Sequence, residues 1–147
     1  MLEADPEEVA LMADPRFADA VSLFNAGEWY ACHDGFEELW HETQGPCRKA
    51  LQGVLQIAVA QLHLERGNLR GATILMGEGL GRLARSEDIA LGLNLEALRQ
   101  TTAARLRALQ EHGSVAGCPS PKLLATAMQQ PSVDCLESGA GLSHWSI

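Results

Sequence analysis

Short residue groups that suit only helix ends cut this chain into helix-length pieces. Asp14-Pro15, Asn25-Ala26-Gly27, Gly45-Pro46 and Gly67-Asn68 follow one another along its first half. Proline fits the first turn of a helix, where its missing N–H would be unpaired anyway, and Asp or Asn just outside caps the free amides. Glycine accepts the left-handed backbone that closes a helix. Between these marks apolar residues return every three or four positions, as in Phe17, Ala20, Val21 and Phe24 or Leu51, Val54, Leu55, Ala58, Val59 and Leu62. Helices are expected over about residues 15–25, 28–42, 46–66 and 69–85, and Asn94 opens a fifth over about 95–112. Residues 86–93 read as a connector, and Arg99, Arg105 and Arg107 as solvated surface.

The expected fold is all-α, a compact bundle of about five antiparallel helices. Residues 24–31 resemble residues 64–71 at an offset of forty, each copy at a helix-to-helix turn. This is the layout of tetratricopeptide-like hairpins, here two of them and no solenoid. Residues 1–14 form an acidic arm that frays or makes a short helix over 6–12, and 15–113 form the helical domain. Residues 114–147 are a Pro/Gly/Ser-rich tail, partly docked or disordered, with a short docking helix over 122–130. Aromatic residues make up only 5% of the chain, so Leu and Ala must fill most of the interior.

Charge excludes some partners. The formal net charge of −8 leaves no basic surface for nucleic acid or anionic lipid. The longest apolar run, residues 54–60, is interrupted by Gln56 and is too short to span a membrane. The first residues are acidic rather than basic and apolar, so no leader peptide is expected. Cys32, Cys47, Cys118 and Cys135 are scattered without a C-x-x-C pair. They read as reduced thiols of a cytoplasmic protein.

One stretch carries chemistry. His33, Glu37 and His41 recur every four residues and share a helix stripe, bordered by the apolar Phe36, Leu39 and Trp40. His33-Asp34-Gly35-Phe36-Glu37-Glu38-Leu39-Trp40, followed by Gly45-Pro46 and Leu51-Gln52-Gly53, resembles a bacterial and archaeal helical family, domain of unknown function 309. The resemblance runs over about residues 15–110, and its hallmark is a His, three residues, a Glu, two residues and an aromatic: His33, Glu37 and Trp40. It implies an all-helical protein with no established activity, whose hallmark has been suggested to bind metal. Asp34 stands where a glutamate is commoner, which leaves the role of that position open.

A hairpin of the second and third of the five helices defines the expected site. With its turn near Gln44–Gly45, facing positions sum to about 90, so Glu37 faces Gly53 and His33 faces Ile57, next to Gln56. Gly53 would let the two helices approach beneath Glu37. Gln52, Gln56 and His63 form a polar stripe. His63 stands roughly 9 Å beyond the level of His33, and the antiparallel lean of the side chains recovers part of that gap. The expected metal ligands are therefore His33, Glu37 and His63 around a divalent transition metal, zinc, iron or manganese. Glu38, Trp40, Gln52 and Gln56 would support them, and Glu37 is the candidate catalytic group of a metal-dependent hydrolase. The competing reading is a structural polar network, with His33 bonded to Glu37, Gln56 satisfying the remainder and the Trp40 N–H bonded to a carbonyl or carboxylate. Two further alternatives are a tetratricopeptide-like adaptor holding a peptide in a groove, and a structural homo-oligomer contacting through the glycine-rich helix at 69–85. A cysteine nucleophile is the weakest reading, although Cys47 lies in a first helical turn, where a thiolate is favoured.

Overall fold

The structure, a computed structural model, describes residues 5–126. The tail after Ser132, with Cys135, and residues 127–130 of the expected docking helix lie outside the described residues. Six helices follow in order: α1 (Pro6–Ala13), α2 (Pro15–Asn25), α3 (Trp29–Glu42), α4 (Cys47–Glu65), α5 (Leu69–Leu83) and α6 (Leu95–His112). A two-stranded antiparallel ribbon, β1 (Ile89–Ala90) and β2 (Leu93–Asn94), joins α5 to α6. The all-α class holds. The helix count rises from about five to six because Asp5 caps α1 through the Glu7 N–H at 3.2 Å. No helix among the described residues is long and apolar enough to cross a membrane.

The caps act as read. Asp14, Asn68 and Asn94 accept from the amides of Arg16, Gly71 and Ala97, each at 2.9 Å. The repeated turns are built alike. Gly27 and Gly67 have φ of 76° and 77°. Around them Glu28 N donates to Leu23 O at 2.9 Å and Asn68 N to His63 O at 2.8 Å, the same closing bond forty positions apart.

Residues 89–94 are not a plain connector. Leu91 (φ 58°) and Gly92 (φ 69°) turn the ribbon tightly. Leu91 is buried despite its left-handed backbone, so burial holds a conformation that leucine rarely adopts. Residues 121–126 extend along β2 instead of forming a helix: Asn94 N donates to Leu124 O at 2.8 Å and Thr126 N to Gly92 O at 3.1 Å. The Asn25 side chain grips both backbone groups of the buried Leu123, at 2.7 and 2.9 Å.

The main core gathers Phe24, Phe36, Leu39, Leu51, Ile57 and Leu98. Phe17 meets Phe36 edge-on with ring centroids 6.1 Å apart, and Phe24 meets Trp29 at 5.1 Å. A smaller cluster joins Ala60 of α4, Ala72 and Met76 of α5 and Leu109 of α6. The largest interface is α4 on α5. A Cβ on Gly53 would lie 2.9 Å from Leu83 Cγ and 3.1 Å from Gly79 O, and one on Gly79 3.0 Å from Gly53 O. Gly53 therefore admits α5, not α3, which corrects the expected hairpin contact. Gly35 gives the α2–α3 approach, facing the Ala20 methyl at 3.3 Å.

Two of the three arginines read as surface are structural. Arg99 donates to Leu83 O at 2.9 Å and pairs with Glu96 and Asp88, holding the end of α5. Arg105 donates to Pro119 O at 2.8 Å, which anchors the segment after α6. Arg107 is exposed. Near the N-terminus Arg16 links α2 to α3, reaching Asp14 at 2.7 Å, Glu42 at 2.8 Å and Glu38 at 3.5 Å.

Gly79→Ala is expected to destabilise the fold by about 1–3 kcal/mol through overpacking. Gly77→Ala adds a methyl that meets nothing within 4 Å, and it is expected to stabilise by about 0.5–1 kcal/mol. Urea unfolding of the two variants checks the opposite signs. A second prediction concerns pH. Hydrogen bonds from Arg16 hold the carboxyls of Glu42 and Asp14 below their ordinary values of 4.5 and 3.8. A lowered carboxyl stabilises the folded state above its ordinary value, and that contribution is lost as pH falls through the lowered one. Arg16→Gln should therefore reduce stability at about pH 7 and lose most of that effect at about pH 2. Urea titrations at both pH values test this, and a deficit of equal size at both would contradict it.

Candidate metal centre on helix α3

Helix α3 buries Cys32, Phe36 and Leu39. The 3.6-residue repeat then turns His33, Glu37 and His41 away from the core. The His33 side chain is 28% exposed and that of Glu37 42%. These residues meet as their spacing requires. His33 Nε2 lies 3.4 Å from Glu37 Oε1, and His41 Nε2 lies 3.8 Å from Glu37 Oε2. Asp34 joins them, with Oδ1 3.3 Å from His33 Nδ1. His33, Asp34 and Glu37 thus bring one imidazole and two carboxylate donors within 4.8 Å of one another. Asp34 is the member that sequence reasoning left unassigned; its adjacency to His33, on a short arm, was the available signal. The Tyr30 ring stands one turn before His33, its centroid 6.4 Å from the imidazole.

The other expected members go elsewhere. Gln56 Nε2 donates to Glu78 of α5 at 2.9 Å, and His63 Nδ1 lies 3.2 Å from Asn68 Nδ2 at the end of α4. The reason is rotational. Gly53, Gln56, Ala60 and His63 share one stripe of α4, and the Gly53–Gly79 contact assigns that stripe to α5. A shared pocket with His33 does not form. Glu38 faces Arg16. Trp40 lies under the Arg48 guanidinium, 4.0 Å from its ring centroid, while Arg48 Nη1 donates to Trp40 O at 2.9 Å and Thr43 O at 3.0 Å. The Trp40 Nε1 is buried with no partner, contrary to the expected carbonyl or carboxylate. Gln52 lines a separate cavity of about 380 Å³ with Gly45, Pro46, Arg48 and Lys49.

The thiols are also corrected. Burial pushes Cys32 up to about 12. Burial, then the charges of Glu8, Asp5 and Glu7, push Cys47 up to about 12, which overrides the favourable helix terminus.

The donor set fits a divalent ion. With bonds of about 2.1 Å, two tetrahedral ligands stand about 3.4 Å apart, which is the His33–Glu37 separation of 3.4 Å. Charge-assisted hydrogen bonds are shorter, about 2.7–2.9 Å. The Nε2 gap to Glu37 is compatible with shared coordination, whereas Asp34 approaches the other ring nitrogen, Nδ1. Imidazole with carboxylate suits zinc, iron or manganese.

No curated protein matches the chain. The model of a family described as Domain of unknown function (DUF309) matches residues 17–75. The matched range includes α3, α4 and with them His33, Glu37 and Trp40, and it ends within α5, short of the reach to about residue 110 expected from sequence. Over residues 17–75 the chain is therefore similar to the DUF309 family.

Proposed function

We propose that α3 carries a divalent-metal site with His33 and Glu37 as ligands and Asp34 beside them. The observation that carries this reading is the grouping of one imidazole and two carboxylates on the solvent face of α3, with donor atoms within 4.8 Å of one another. His63 has no part in it. A bound ion would supply a polarised water, the chemistry of a metal-dependent hydrolase. Glu37 offers two oxygens, one toward His33 and one toward His41, so it can hold an ion and accept a proton at the other oxygen. The structural network is the weaker account, because Gln56 is committed to Glu78. A cytoplasmic setting belongs to the same proposal and is supported by the free thiols of Cys32, Cys47 and Cys118.

Zinc and manganese titrations of the metal-stripped protein, followed by calorimetry, test this reading. Uptake of about one ion per chain is expected. His33→Ala and Glu37→Gln should each weaken binding more than about tenfold, while His63→Ala should leave it unchanged. Equal uptake by the wild type and His33→Ala would reject the site.

A further inference from the structure

Helix α1 is the most lightly packed helix of the described residues. It buries a single side chain, Leu11. Two carboxylates supply most of its remaining attachment. Glu7 accepts from the backbone N–H groups of Gln44 at 2.9 Å and Gly45 at 2.7 Å, in the α3–α4 turn. Glu8 accepts from Leu91 N–H in the ribbon at 2.7 Å. A Cβ at position 45 would meet Glu7 Oε1 at 2.8 Å and displace that carboxylate. The fit has a flaw, since Asp5 Oδ2 is buried beside the same turn without a partner. An unpaired buried oxygen favours separation from the surface that covers it.

Cys47 lies two residues beyond Gly45, in the first turn of α4, and is 7% exposed. We propose that α1 is a releasable lid over Cys47: it detaches as a unit while α2–α6 stay folded, and Cys47 reacts with soft electrophiles only in the open form. Closure protects the sulfur twice, by burying it and by seating the Glu7 and Asp5 carboxylates at the Gln44–Gly45 turn, two residues before it. Opening removes those charges and leaves the sulfur at the N-terminus of a 19-residue helix, where the amide dipole favours thiolate. Cys32 is an internal control, a fully buried thiol on α3 packed in the main core.

Labelling by N-ethylmaleimide, read by mass spectrometry at each cysteine, tests the lid. In that reaction the thiolate sulfur bonds to one alkene carbon and water returns a proton to the other. In the wild type Cys47 should label faster than Cys32 and with a shallower dependence on urea, because opening exposes less surface than unfolding. Glu7→Ala combined with Glu8→Ala should raise the Cys47 rate about tenfold or more and leave Cys32 unchanged. Equal rates with equal urea dependence in the wild type would overturn the proposal. So would a double variant in which both rates rise together or neither rises.

Discussion

The separation of α4 and α5 is set by two glycines, each with a carbonyl where the other's side chain would begin. Larger residues would push the helices apart or bend them, since packed interiors leave little free space. This crossing fixes the rotation of α4 about its axis. One stripe, from Gly53 through Ala60, goes to α5, and Leu51, Val54 and Ala58 are left for the main core. Helix α3 then packs on α4 through its own apolar stripe, which leaves His33, Asp34 and Glu37 on its solvent side. The exposure of the candidate centre is thus a consequence of a contact on a different helix.

Features encoded by neighbours in sequence were legible. The caps at Asp14, Asn68 and Asn94 and the turns at Gly27 and Gly67 depend on a few adjacent residues and formed as read. The pairing of His33 with Glu37 was legible for the same reason, because one turn of helix brings them together. What the sequence hid depends on rotation and on distant partners. Gln56 and His63 have the spacing to face α3, but nothing local says which flank of α4 takes which neighbour. Arg99 and Arg105 look like solvated charges until the carbonyls they reach, at Leu83 and Pro119, are known.

Cys47 shows how competing effects are decided by surroundings. A helix start favours the thiolate, while burial and nearby carboxylates oppose it. The first influence is visible in the sequence around Pro46. The second comes from α1, whose acidic residues lie some forty positions earlier and gather at the sulfur only in the fold. His33, Asp34 and Glu37 differ in this respect, for all three lie on one helix and their grouping needs no tertiary contact.

The clasp between Asn25 and Leu123 bears on the order in which the chain assembles. It joins positions 98 residues apart, whereas the two hairpins are made from neighbouring helices. Closing so long a loop carries a large entropic penalty until the intervening chain has condensed. The hairpins therefore form first, and the strand-like segment carrying Leu123 seats late, on a surface they have already built. A single amide side chain, placed at the end of α2, serves as the latch for that last step.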